Sequence, residues 1–141
     1  MFIGQYDHQL EAKGRLSIPK KFRSQLKEGA IISQGLDGCL SLYPKDSWEL
    51  LISKLSQLPL TRSDARSFSR SISFGAFEVE IDSLGRILIP DHLRVFAGLK
   101  DDCVVAGSLD RIEIWDKSRF TDYISKVNSH AEEIAEKLEL S

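Results

Sequence analysis

Cysteine is scarce in this chain of 141 residues: there are two, Cys39 and Cys103, and neither has a second cysteine at metal-knuckle spacing. That argues against a disulfide framework and against a cysteine-built zinc site, and both residues read as small buried hydrophobes. Long apolar runs are missing too. No stretch approaches the roughly 18 residues a membrane span needs, and the N-terminal MFIGQYDHQLEAKGR meets a histidine, an aspartate and a glutamate before any leader-like segment develops. A cytoplasmic protein without a membrane partner is expected. Histidine is limited to His8, His92 and His130, in unrelated contexts, and the chain has no HExxH, nucleophile elbow, Walker loop or glycine-rich dinucleotide motif. No enzyme, cofactor or metal is expected. The one acid and histidine group, Asp7, His8 and Glu11, puts His8 and Glu11 on opposite faces of a strand and reads as a solvated strand edge.

What is present suits one globular unit, since apolar residues make up 42% and charged residues 28%. The net charge of -2 argues against a wholesale basic protein. The charge is uneven, however. Residues 1 to 30 carry Lys13, Arg15, Lys20, Lys21, Arg23 and Lys27 against Asp7, Glu11 and Glu28, whereas residues 95 to 141 carry six basic and ten acidic groups. One end of the chain can face an anion while the other keeps it soluble.

The most informative feature is an internal repeat. EAKGRLSIPKKFRSQL at 11 to 26 reads against DSLGRILIPDHLRVFA at 82 to 97, pairing Gly14 with Gly85, Arg15 with Arg86, Ile18 with Ile89, Pro19 with Pro90 and Arg23 with Arg94. LKEGAIISQGLD at 26 to 37 then matches LKDDCVVAGSLD at 99 to 110, and LSLYPKDSW at 40 to 48 matches IEIWDKSRF at 112 to 120. Three blocks in one order mark a tandem duplication.

Within each copy the local signals predict the same series. A strand enters a glycine turn at Gly14 or Gly85, and a short strand leaves it. Proline disfavours helix just before itself and suits a helix start, so Pro19 and Pro90 open short helices, the first with Phe22 and Leu26 on one face. A second hairpin follows, AIISQ returning as CLSLY in the first copy and residues 103 to 115 in the second. Pro44 then opens a helix to about Leu55 with Trp48, Leu51, Ile52 and Leu55 on one stripe, and Asp116 opens one carrying Phe120, Tyr123, Ile124 and Val127. PLTRSDARSFSRSIS between the copies predicts a short helix, and Ala131 to Leu140 an acidic terminal one. Each copy is about 70 residues of short strands, too small for a secure core, so the two are expected to complete one barrel.

The copies differ where it matters for charge. Asp82 is placed to cap the backbone N–H groups of its turn and to pair with Arg86, a scaffold role. Glu11 stands at the equivalent position with an extra methylene that hinders such a cap, leaving Arg15 less firmly occupied. Lys13, Lys20 and Lys21 are replaced in the second copy by Leu84, Asp91 and His92. One hairpin is basic and the other nearly neutral, which suggests that the first presents to a polyanion. Arg62, Arg66 and Arg70 recur every four residues and would share a helix face, for phosphate, a neighbouring subunit or solvent. Apolar faces around Trp48 and Phe120 read as core or oligomer contact.

These motifs together, the N-terminal MFIGQYDHQLEAKGRLSIPKKFR, the second DSLGRILIPDHLR and the hairpin ends LSLYP and IEIWD, resemble the MraZ family over essentially the whole chain. The resemblance implies an α+β, mainly β fold: tandem AbrB-like, swapped-hairpin halves forming one pseudo-two-fold β-barrel with peripheral helices. The expected organisation is residues 1–58 as half 1, 59–75 as a connecting helix or linker, 76–127 as half 2 and 128–141 as the acidic C-terminal helix. It also implies a transcriptional regulator of the bacterial division and cell-wall gene cluster, nucleoid-associated, a ring-shaped homo-oligomer of eight or twelve subunits on double-stranded promoter DNA with direct repeats. The expected DNA-binding residues are Lys13, Gly14, Arg15, Lys20, Lys21, Arg23 and Arg86. The competing reading is a structural or protein-interaction ring whose basic face takes an acidic partner.

Overall fold

The computed structural model describes residues 1–140; residue 141, the last of the expected terminal segment, lies outside them. The chain opens with β1 (Gln5–Gln9), where Tyr6 and His8 are half-buried and Gln5, Asp7 and Gln9 exposed. A turn through Gly14 leads to β2 (Arg15–Ser17), which Pro19 ends, since proline lacks an N–H for a ladder. Then come α1 (Lys20–Arg23), a 3-10 turn over Ser24–Leu26, the hairpin β3 (Ala30–Gln34) and β4 (Leu40–Pro44), and α2 (Lys45–Ser56). After α3 (Ser63–Phe74) the series repeats as β5 (Phe77–Val79), β6 (Arg86–Leu88), α4 (Asp91–Ala97), β7 (Asp102–Ser108), β8 (Arg111–Asp116) and α5 (Lys117–Ser129), before α6 (Ala131–Lys137).

The two copies exchange strands. The six-stranded sheet runs β1-β7-β8-β4-β3-β5, so the first strand of each copy pairs with the hairpin of the other. His8 faces Cys103 and Tyr6 faces Val105, while at the other edge Ala30 faces Val79 and Ile32 faces Phe77. Strands β2 and β6 form a separate antiparallel ladder centred on Leu16 opposite Ile87. Ser41 opposite Glu113 is the matching centre of β4 and β8, so both ladders obey one pseudo-two-fold axis. The main core draws on both copies, with Leu16, Ile18, Phe22, Ile32 and Leu42 packed against Ile87, Ile89, Leu93, Val105 and Ile112. Burying one such side chain contributes about 1.5–3 kcal/mol, and neither copy assembles enough of them alone.

Several expectations are corrected. The barrel is not closed: β1 and β5 remain the two edges of the large sheet. The reason lies in Pro19 and Pro90, which stop β2 and β6 after three residues; α1 and α4 then cover the core with Phe22, Leu93 and Ala97. The strand expected to enter the turn at Gly85 is only Phe77–Val79 and ends well before it, and helices hold more residues than strands although the core lies on the sheet. Of the two readings given for the Phe120 face, core is the one found: Phe120 is buried with Cys39, Val104 and Trp115, whose ring stacks on Tyr123 at 5.1 Å. The Trp48, Leu51, Ile52 and Leu55 stripe does form on α2 but is only half-buried. Despite its serines, α3 makes 12 helical residues: Ile72 is buried and the buried Ser33 Oγ donates to its carbonyl at 2.7 Å. Tertiary contacts there override low intrinsic propensity. Among the described residues no helix is long and apolar enough to cross a membrane.

Candidate nucleic-acid interface

Both glycine turns are built on the same backbone plan. In the first, the Glu11 N–H donates to Arg15 O at 2.8 Å and Gly14 N–H to Glu11 O at 3.2 Å; in the second, Asp82 N–H donates to Arg86 O at 2.9 Å and Gly85 N–H to Asp82 O at 3.0 Å. Gly14 and Gly85 have φ of 83° and 80°, the left-handed region that glycine enters without steric cost. Each turn is also fastened by the other copy. The Ile89 N–H donates to Gly14 O and the Ile18 N–H to Gly85 O, both at 2.9 Å. A Cβ at Gly14 would overlap the Arg94 guanidinium, and one at Gly85 that of Arg23. Arg23 Nε donates to Ile18 O at 2.8 Å, and Arg94 pairs with Asp91.

The side chains then diverge. Asp82 Oδ1 accepts from the N–H groups of Leu84 and Arg86, both at 2.9 Å, and Oδ2 from Arg86 Nε at 3.1 Å. The backbone N–H of Arg86 is the chief cause holding the Asp82 carboxyl below its ordinary pKa. Arg86 Nη1 donates in turn to Glu11 Oε1 at 3.1 Å, the main reason its guanidinium is pushed above its usual value. Glu11 makes no backbone cap among the described residues, and Lys13 beside Gly14 takes φ 67°, an uncommon conformation for a side-chain-bearing residue. Arg15 lies half-buried on β2 without an ion pair or side-chain hydrogen bond among the described residues. With Leu16 and Ile87 turned inward, strand alternation puts Arg15, Ser17, Arg86 and Leu88 on the outer face.

The other candidates separate into two groups. Lys13 and Lys20 are exposed, Lys20 lining a groove with Arg23, Lys27, Glu28 and Glu80. Lys21 Nζ lies 5.4 Å from the centre of the Tyr6 ring. Its counterpart His92 packs on Phe77 with ring centres 5.0 Å apart, so the contact with the aromatic of the first strand of each copy is kept while the lysine is not. Arg23 and Arg86, by contrast, have partners within the chain: the Ile18 carbonyl for Arg23, and Glu11 and Asp82 for Arg86. Arg23 lies in the run of lysines expected to meet phosphate, and its counterpart Arg94 is present in the copy that lacks the other cations. That Glu11 would serve the arginine of the other copy had no sign within its own hairpin.

The acid and histidine group disperses: Asp7 pairs with Lys117 at 2.8 Å and Glu11 with Arg86. On α3, Arg62 makes two bonds to Asp64 and Arg66 Nη1 donates to Leu60 O at 2.9 Å, while Arg70 is exposed. Arg62 precedes α3, and only Arg66 and Arg70 stand within the helix.

The family model described as "MraZ protein, putative antitoxin-like" matches twice, over residues 1–71 and 72–140. A curated relative from Heliobacterium modesticaldum, "Transcriptional regulator MraZ", is 48% identical over 138 residues, covering 98% of this chain and 96% of the relative. The double match follows the duplication seen in both turns, and the chain belongs to the MraZ family.

Proposed function

We propose that this chain is a DNA-binding transcriptional regulator that reads direct repeats in the promoter of the bacterial division and cell-wall gene cluster as a ring-shaped oligomer of eight or twelve subunits, in the cytoplasm and on the nucleoid. A relative named a transcriptional regulator at 48% identity supports the regulatory part. The DNA part rests on one observation: Arg15 has no carboxylate partner among the described residues, whereas Arg86 has two. Arg15 then reads a guanine edge or a phosphate, with Gly14 setting the turn, and Lys13, Lys20 and Lys21 supply phosphate contacts. Arg23 and Arg86 hold the frame.

With a net charge of -2 and few unmatched cations, a single subunit neutralises few phosphates and binds weakly. Several turns presented on one assembly raise the affinity without new contacts. The half-covered stripe of α2 and the exposed Leu50, Leu60 and Leu138 are apolar surface from which such an assembly is built. Anisotropy on duplexes with one, two and three direct repeats, titrated with salt, tests this. Affinity is expected to climb steeply with repeat number, to fall steeply with salt, and to collapse when half a helical turn is inserted between sites. A flat salt dependence with equal affinity for every duplex would favour the ring module with an acidic protein partner.

A further inference from the structure

We infer that Arg94, which belongs to the second copy, is a positioning residue for the DNA-reading turn of the first. The direction in which any residue but glycine would carry its Cβ at position 14 is filled by the Arg94 guanidinium, and the Ile89 carbonyl lies 3.0 Å from the same point. Arg94 is fixed from both ends, by α4 with its buried Leu93 and Ala97 and by the ion pair to Asp91. Its side chain is 23% exposed and its charge is matched, so it is a brace rather than a surface cation.

The two turns depend on their braces unequally. The second turn has an internal brace, the Asp82 carboxylate with bonds to Leu84 N–H and Arg86 N–H, in addition to Arg23 packed behind Gly85. The Glu11 side chain supplies no such bonds among the described residues, and Lys13 sits in the left-handed region, so beyond the backbone bonds that both turns share the first turn has only the Arg94 side chain behind Gly14. Lys13 and Arg15 flank Gly14 directly. A loosened Gly14 therefore leaves both to be ordered when they bind, which costs affinity without removing either contact, and pre-formed supporting contacts are what recognition groups require.

The test uses the full chain with Arg94→Ala, Arg94→Lys, Arg23→Ala and, as a control of lowered stability in the same helix, Leu93→Val. Hydrogen exchange at the Gly14 amide is expected to speed about tenfold in Arg94→Ala, more than Arg23→Ala speeds exchange at Gly85, because only the second turn keeps an internal brace. Resting on the DNA reading, the second measurement is duplex affinity: Arg94→Ala is expected to lose about tenfold with its salt slope unchanged, whereas Lys13→Ala lowers the slope by about one unit. Leu93→Val shows neither effect, and Arg94→Lys lies between wild type and alanine. A reduced salt slope in Arg94→Ala, or Gly14 exchange no faster than in Leu93→Val, would overturn the inference. If the wild type binds no duplex, the DNA reading fails and the exchange data still decide; if Arg94→Ala does not fold, Arg94→Lys carries the same comparison.

Discussion

Arg86 Nη1 reaches Glu11 Oε1 of the other copy at 3.1 Å while its Nε holds Asp82 of its own turn at the same distance, so one guanidinium joins the two turns. Its counterpart Arg15 has no such tie among the described residues. The repeat makes these arginines equivalent, and the turn that carries a glutamate where the other carries an aspartate is the one whose arginine is unpaired among the described residues.

Exchanging each arginine for alanine should expose that difference. Arg15→Ala is expected to weaken duplex binding about 5- to 150-fold, the worth of a good bidentate base contact, and to leave the unfolding midpoint where it was. Arg86→Ala should lower the midpoint, because it leaves two carboxylates facing each other without a cation. Calorimetry and anisotropy on both variants decide; equal loss of DNA binding with no loss of stability in either would refute the division of roles.

Gly14→Ala and Gly85→Ala are each expected to cost about 1–3 kcal/mol, from positive φ and from overlap with the guanidinium behind. Part of that cost should vanish when the opposing arginine is also removed, since the two residues share one space. Urea unfolding of the Gly14→Ala, Arg94→Ala cycle measures the coupling, and strict additivity would mean the overlap relaxes freely.

Acid should loosen the second turn. The Asp82 carboxyl has a folded pKa below its ordinary value, so the stability it contributes is fully present above the usual carboxylate range near pH 4 and is lost as the pH falls through the folded value. Asp82→Asn is expected to be less stable at neutral pH and to show a weaker dependence below about pH 4. Thermal midpoints across that range check it, and parallel curves for the two proteins would exclude Asp82 as the titrating group.

Residues 1 to 70 alone should not form a stable monomer. Without the second copy, β1 loses β7, β2 loses β6, β3 loses β5 and β4 loses β8. The fragment is expected either to stay unfolded or to dimerise so that a second molecule stands in for the missing half. Sedimentation combined with circular dichroism separates these, and a folded monomer would contradict the strand exchange.

Much of this was legible because a duplication is its own control. Positions identical in both copies, such as Gly14 with Gly85 and Pro19 with Pro90, are turns and strand ends, and Arg23 and Arg94 each lie behind the glycine of the opposite turn. Positions that differ, such as Lys13 against Leu84, are where the two turns diverge in charge. The cap by Asp82 could be read from its spacing to Arg86, because an aspartate entering a glycine turn acts locally. What stayed hidden was long-range. Neither the open sheet nor Glu11 on Arg86 leaves a local pattern, and the serine-rich α3 is stabilised by Ile72 and Ser33, partners that propensity does not see.

The pairing of β1 with β7 also bears on how the chain is made. His8 finds Cys103, and Tyr6 finds Val105, so the earliest strand to leave the ribosome waits for one of the last. Contacts so distant in sequence form late, and until then β1 and β3 present unpaired edges. The order of synthesis thus exposes the basic turn before its brace on α4 has emerged, and a nascent chain acquires the rigid Gly14 only when translation is nearly complete.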